Sequence, residues 1–560
     1  MIRFAKWAAF VLTINISLAL FANDIFSHVT TEKYPDADSV LVEGLDETYY
    51  NSDGTYVSEN SNTIKILTEK GRREESVISL SYNARYGSAK IVELKVTGLD
   101  GVVRDVDFTK TTKEATDNSS VSANIYDPMD RKIVCTIPGL KVGEVIFYRT
   151  RRETKKPRVK DNYADIFVFE WTCPILKQTV RIVAPKDRPL KRMAIRNPLD
   201  NVKYSSKTLA DGRTEHIWVA LDSPQAFAEP DTPPLYKLVQ NLYVSTAEDW
   251  QTISKWYWDL CVPHLSKTTS AITNQVSKII ASCSEKASDY DKISAIYKWV
   301  AQEVRYMGLT MEETSPGYAP HDVNITFENR YGVCRDKAAL LTAMLRIAGF
   351  EAYPVLIHAG AKMDNEVPLP YFNHAITGVR APGSKEAKKI MPSPSGLKIF
   401  WGDLHNHCNL TYGHGDMRDA FEAAKGPTDE SSRDIMPAYL GDRSYLVATP
   451  FGETLHVSSV PPALKNSLDV VSEGSFEKDG SILVKSVIKF KGLNDNAYRH
   501  GLLKMTSDNR RRFFERVVRS ASSSAELISA ELKPEDLRKT EEELTLELYF
   551  RVNEALLKGK

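Results

Sequence analysis

The stretch RYGVCRDKAALLTAMLRIAGF, residues 330–350, sets one cysteine, Cys334, at the front of an apolar run with helical spacing. Ala338, Leu341, Leu345 and Ala348 fall on one face of that helix, and Leu340, Met344 and Ile347 on another. A helix apolar on most sides is a buried one. Gly349 follows as a residue suited to end it, and Gly332 lets the chain turn tightly into it. A helix N-terminus carries unpaired N–H groups and a partial positive charge. Both favour thiolate over thiol, and free amides there can hold an oxyanion. A free cysteine is nevertheless most often a small buried hydrophobe, so the rest of the chain has to decide its role.

A thiolate needs a base. His374, in PYFNHAITGV, opens a short strand running Ala375, Ile376, Thr377, Gly378, Val379. Helix, strand (EAYPVLIHAG) and His-bearing strand follow in the order that a cysteine–histidine site requires. The third member, an Asp that orients the imidazole, is expected at the end of a neighbouring strand.

At 560 residues the chain is too long for one ordinary core. With 73 basic against 73 acidic residues it offers no field for nucleic acid or an anionic membrane. Its start, MIRFAKWAAFVLTINISLALFAND, has the order of a secretory signal: Arg3 and Lys6, an apolar run from Ala8 to Phe21, and a cleavage site after Ala22. No later stretch reaches the roughly 18 apolar residues of a membrane span. The mature protein is therefore expected to be exported, periplasmic or secreted, and without a span. Cys135, Cys173, Cys261, Cys283, Cys334 and Cys408 are too scattered to write a disulfide framework.

Residues 40–225 alternate apolar and polar positions, as in TIKILTE and AKIVELKVTGLDGVVRDVDF, with LDG and ADG turn signals. The Lys/Arg cluster at 151–160 reads as a solvated loop. Near residue 245 the period becomes helical: Trp250, Ile253 and Trp256 share a face, with Asp249 or Thr246 as the cap. Ile293, Ile296, Val300 and Val304 form a second stripe. From 455 onward strands return around one helix near 505–520.

NRYGVCRDKAALLTAMLRIAGFEAYPVLI followed by FNHAI resembles the transglutaminase-like superfamily, a branch of the papain-like thiol enzymes. YMGLTMEETSPGYAPHDVNITFENRYGVCRDKA and TDESSRDIMPAYLGDRSYLVATP resemble its exported bacterial subgroup, in which a β domain precedes the core. The resemblance implies a triad of Cys334, His374 and an Asp that runs acyl transfer or hydrolysis through a thioester. It implies no cofactor, and a peptide or protein substrate of the cell envelope. The fold class expected is multidomain α+β. A signal peptide (1–22) precedes an N-terminal antiparallel β-sandwich (23–235). A papain-like, transglutaminase-like α+β core (240–455) and a C-terminal mixed β domain (456–560) follow.

The sequence departs from the family pattern after His374. The family's Asp lies in an Asp-Pro-Thr turn, and here that turn reads Gly426-Pro427-Thr428. Residues 381–425 form an atypical insertion, and 396–425 resembles the opening of the PHP-type metal phosphoesterases. His405 and His407, at i and i+2 on a strand, share a face and can share a metal, with Cys408 and His414 nearby. The later ligands of such an enzyme do not follow, so no metal centre is expected. Asp403, ending the aromatic strand LKIFWGD, is the favoured third member, because a strand end orients a side chain better than a loop does; Asp429 is the alternate.

Three readings of function follow. The first is a thiol acyl-transfer enzyme acting on peptide or isopeptide amides. The second is a core that keeps the fold but has lost activity and works as a binding or scaffold protein. The third is a metal-dependent hydrolase built on His405 and His407.

Overall fold

The computed structural model describes residues 26–119, 121, 125–229, 233–309, 317–380, 442–458, 466–503, 505–537, 539 and 542–553. The signal-like segment 1–22 and the 381–425 insertion lie outside the described residues. By its contacts the chain divides into two units. One gathers the described residues within Met1–Ser120, Asp127–Ile253 and Met363–Pro370; the other gathers those within Val121–Tyr126, Ser254–Lys362 and Tyr371–Lys560.

The first unit is built on one eight-stranded sheet, ordered Val202–Thr208, Thr214–Ser223, Ile175–Ala184, Ser39–Tyr50, Tyr56–Ile66, Val145–Thr154, Gly87–Thr97, Val103–Asp105. All its pairings are antiparallel except that of Ser39–Tyr50 with Ile175–Ala184, which is parallel. Two three-stranded sheets pack against the long one. Val77–Asn83, Asp130–Thr136 and Thr112–Thr116 close a core of Ile64, Ile66, Leu80, Leu94, Val96 and Ile133. Ala164–Val168, Asn241–Ser245 and Arg192–Arg196 close a second core of Phe167, Val180, Ile182, Trp218 and Val244. Ile64 belongs to the first core and Tyr56 packs on the second. Their even spacing on one strand puts both cores on the same face of the long sheet. The N-terminal unit is thus two sandwiches sharing one sheet.

The opposite face is a ladder of ion pairs: Lys207 and Arg181 to Glu215, Arg181 to Glu47, Lys177 to Glu43, Arg151 to Glu59, Arg149 to Glu93. Arg151 and Arg152 therefore belong to a strand rather than to a solvated loop. Alternation assigns the faces, and period two is the reason these sequences read so clearly as strands.

Between the two cores runs a polar stripe. Gln178 and Asn60 each donate an amide N–H to Asp46, at 2.8 and 2.6 Å, and Asn62 donates to Asn60 and to the Tyr148 hydroxyl. Gly44 makes room for this row, since a Cβ there would lie 1.9 Å from the Gln178 Oε1. Burial pushes the Asp46 carboxyl above the ordinary range, and the two amides only partly offset it.

In the second unit, helix Cys334–Ile347 is the centre. Leu340 and Met344 are fully buried, and helices Ser270–Ser282, Asp289–Glu303 and Val323–Asn329 pack around it. Lys337, also fully buried, donates its ammonium to the carbonyls of Val304 (2.5 Å) and Ala301 (3.4 Å). It thus caps the last carbonyls of Asp289–Glu303, which are buried. That helix starts on Ser288, whose side chain and Asp291 form a reciprocal cap. Asp249 rather than Thr246 caps the Trp250–Leu265 helix, accepting the Thr252 N–H at 2.8 Å. An antiparallel sheet ordered His374–Arg380, Glu351–Ile357, Ser444–Val447, His456–Val457 lies against the Cys334 helix.

The C-terminal part is an antiparallel sheet ordered Leu468–Phe476, Ile482–Phe490, Thr545–Val552, Ala525–Lys533, with helices Leu493–Leu503 and Ser507–Ala521 on a core of Phe490, Phe514, Leu546 and Leu548. The sequence showed only the second helix. The first packs Leu502, Tyr498 and Leu503 on that core and is held as well by Arg499, buried, which pairs with Asp495 and donates to the carbonyls of Leu537, Lys539 and Glu542.

The Asp46 carboxyl carries a testable consequence. An aspartate whose folded-state value is raised costs stability once the unfolded chain ionises and the folded chain resists. Asp46→Asn keeps the stripe hydrogen-bonded once the Gln178 amide turns. It is expected to raise stability by about 1 kcal/mol at pH 8. The gain shrinks as pH falls toward the ordinary aspartate value of about 3.9. Urea titrations of both proteins at pH 8 and pH 4 measure it; equal gains at the two pH values would remove the ionisation argument.

Candidate active site

Cys334 is the first residue of its helix, after Val333 in extended conformation (φ −85°, ψ −177°). Asp336, in the first turn, seats this start. Its Oδ2 accepts the Val333 N–H at 2.9 Å, and its Oδ1 accepts the His321 N–H at 2.9 Å, with the His321 Nδ1 at 3.1 Å. Gly332 is required less for a turn than for this side chain, because a Cβ at 332 would stand 2.6 Å from the Asp336 Cβ. Burial pushes the Asp336 carboxyl up; Arg335 and the His321 hydrogen bonds outweigh it and hold the group below its ordinary range.

His374 begins the His374–Arg380 strand, and its side chain hydrogen-bonds to the Cys334 thiol. The Ala375 N–H also bonds to the sulfur. Burial alone would raise the thiol. The His374 bond and charge, the Arg335 charge and the Ala375 N–H together hold it below the ordinary thiol value. Cys334 is a free thiol, and as a residue it is partly buried. Helix and strand are tied one turn further on: the Thr377 hydroxyl donates to the Ala338 carbonyl at 2.9 Å, and the Thr342 hydroxyl donates to Thr377 at 3.2 Å.

An aromatic group backs the site. Tyr257 is fully buried, and its ring meets the edge of Tyr318 with centroids 6.5 Å apart. Trp256 packs edge-on to Tyr318, and the Tyr318 hydroxyl donates to the Phe372 carbonyl at 3.1 Å, two residues before His374. The neighbouring Cys261 is the inert kind of cysteine, its thiol pushed up to about 12 by burial.

The structure brings Cys334 and His374 together. Asp403, Asp429 and Gly426 lie outside the described residues, as do His405, His407, Cys408 and His414. Among the described residues no group of three or more His, Cys, Asp or Glu side chains is placed to hold a metal ion, and no helix is long and apolar enough to cross a membrane. The five described cysteines are free thiols. Sequence reading missed Asp336, His321 and Tyr318. Asp336 had a signal, an acidic residue at the third helical position, where it reaches back to the capping N–H. His321 and Tyr318 had none, because their partners are distant in sequence.

The family comparisons divide the chain in the same sense. Residues 52–226 match a domain of unknown function with a solved structure (DUF3857), and residues 277–381 match the transglutaminase-like superfamily. No curated protein matches the chain. Among solved structures, a "putative protease" from Parabacteroides distasonis ATCC 8503 is similar over 92% of this chain and 93% of its own, at 12% identity and a TM-score of 0.53. A "putative cysteine protease" from Cytophaga hutchinsonii aligns over 44% of this chain and 80% of its own, at 13% identity and a TM-score of 0.19. The first likeness shows a shared fold across most of the chain. The thiol of Cys334 and the imidazole of His374 both lie inside the segment, residues 277–381, that matches the transglutaminase-like superfamily.

Proposed function

We propose that this protein is an exported thiol enzyme that transfers or hydrolyses acyl groups of peptide or isopeptide amides through Cys334. One observation carries the reading: a thiol at the start of a buried helix, held below its ordinary value by a hydrogen-bonded histidine. In such a pair the thiolate attacks the amide carbonyl, and the N–H groups of the helix start face the oxygen that becomes negative. The protonated His374 then gives its proton to the leaving amine, and a thioester remains on Cys334. An amine or water, deprotonated by His374, attacks the thioester and restores the thiol. Asp403 or Asp429 would hold the imidazole. Export rests on the signal-like start, and the expected substrate is a peptide or protein of the cell envelope.

Cys334→Ala should abolish amidase and acyl-transfer activity on peptide amides while changing stability by only about 1 kcal/mol. Retained turnover would sink the mechanism. The thiol chemistry has its own readout. Because His374 favours the thiolate, the alkylation rate of Cys334 by iodoacetamide should have its midpoint below the ordinary thiol value of about 8.5. His374→Ala should move that midpoint upward and slow labelling at pH 6. Identical profiles would separate the two residues, and would favour a core that keeps the fold and serves binding.

The orienting carboxylate is a separate question. If Asp403 holds His374, Asp403→Asn should lower turnover on the order of 10²–10⁴-fold with the fold retained, since an amide holds the wrong tautomer. Asp429→Asn should then do little, and the reverse pattern assigns the role to Asp429. Steady-state kinetics of both variants beside Gly426→Asp decide it. A gain only in the last would mean that neither Asp serves.

A further inference from the structure

His374 is held by its strand on one side only. It is the first residue of His374–Arg380, paired there with Ile357, and from it onward the sheet ladder holds the backbone. Tyr371, Phe372 and Asn373 precede it outside the ladder. Residues beyond the end of a ladder open more readily than those within it. The imidazole moves with its own Cα, so whatever fixes 372 and 373 bears on where it points. Two bonds do so. The Tyr318 hydroxyl donates to the Phe372 carbonyl at 3.1 Å, and the Ala359 N–H donates to the Asn373 Oδ1 at 2.8 Å.

The short stretch that carries Tyr318 also holds the helix of the thiol. Three residues on, the His321 N–H donates to the Asp336 Oδ1 at 2.9 Å, with its Nδ1 at 3.1 Å from the same oxygen. The other Asp336 oxygen takes the N–H of Val333, the residue before Cys334. Pro320, buried between the two contacts, restricts the backbone and offers no N–H of its own. The Tyr318 ring is fixed edge-on by Trp256 and Tyr257, with centroids 5.8 and 6.5 Å away. Residues 318–321 thus touch both elements of the site, the approach to His374 at one end and the start of the Cys334 helix at the other. Every one of these residues lies in the second unit.

We propose that residues 318–321 are a strap that sets the thiol–imidazole geometry, with Tyr318 and His321 as positioning residues. Tyr318 fixes the backbone from which His374 reaches the sulfur; His321, through Asp336, fixes the helix start that carries it. Both act through another residue, and neither belongs to the catalytic pair. The proposal rests on the thiol-enzyme reading and deepens it. The Thr377–Ala338 bond locks the same two elements one turn further in, while the strap works at the end where sulfur and imidazole meet. Misplacement by about 1 Å there costs on the order of 10²-fold in rate.

Two readouts on the full chain test it: the pH profile of Cys334 alkylation by iodoacetamide, and amide hydrogen exchange across residues 371–376 and 332–336. Tyr318→Phe deletes one hydroxyl and keeps the ring. It should slow labelling at pH 6 by about three- to tenfold and move the midpoint toward that of His374→Ala, since fewer molecules hold the imidazole at the sulfur. It should also speed exchange at 371–376. Placed in His374→Ala, the same change should slow labelling no further, because the hydroxyl acts through the imidazole. His321→Ala should slow labelling and speed exchange at 332–336; His321→Asn, whose amide N–H stands where Nδ1 does, should restore both. Where wild type labels faster than His374→Ala, unchanged labelling or unchanged exchange in Tyr318→Phe would overturn the proposal, whatever the melting temperature does. So would a loss of labelling that is the same with and without His374, or His321→Asn behaving like His321→Ala. If the wild type labels no faster than His374→Ala, the thiol reading fails by itself. Exchange at 371–376 in Tyr318→Phe then still decides whether the strap holds the approach to His374.

Discussion

The site depends on the register between the Cys334 helix and the His374 strand. Neither element is positioned by its own sequence alone, and a slip of one residue along the strand would turn the imidazole to the other face of the sheet. Two hydroxyls prevent that slip. Thr377 reaches the Ala338 carbonyl and Thr342 reaches Thr377, all in a region without water to compete. Around them Leu340, Met344, Val355 and Ile376 are fully buried, so the helix cannot slide without opening a void. The sulfur and the imidazole meet because the elements beneath them have one packed arrangement.

Electrostatics then acts on a thiol that burial by itself would keep protonated. The opposing contributions come from close, oriented groups: an imidazole, a guanidinium and a backbone N–H. Asp336 is the charge that could spoil this balance, since it sits two residues from the sulfur. Its oxygens are engaged by Val333 and His321, and it is flanked by Arg335. The carboxylate thus tightens the helix start while its charge is largely answered locally. Lys337 works the same way on the other side, with a buried ammonium meeting the carbonyls of a helix end.

The N-terminal unit separates its functions by face. One face of the long sheet is a ladder of ion pairs, mostly part-exposed, where such pairs contribute little individually, with Glu215 buried between Arg181 and Lys207. The other carries two apolar cores with the Asp46 stripe between them. Its outlying member is the Met363–Pro370 segment, which lies in sequence between Cys334 and His374 and by contact in the β unit.

Periodicity made much of this legible in the sequence alone. Alternation marked the strands of the first unit, and the apolar Ala338–Ile347 run marked a buried helix with Cys334 at its start. His374 opening a strand was readable too, because local propensity and spacing are written residue by residue. Three things were not legible. The split of the β unit into two sandwiches on one sheet, with its single parallel pair, depends on which strands meet across more than a hundred residues. The Leu493–Leu503 helix adds to its Tyr498 and Leu502 packing the bonds of Arg499 to carbonyls distant in the chain, which no local pattern announces. The attachment of the His374 connection to Arg196 joins residues 196 and 364, which no local pattern links. Local spacing and residue type thus announce the elements and the side chains able to do thiol chemistry. Tertiary structure alone decided which distant groups surround the thiol, because burial and partner charges exist only once the chain has closed on itself.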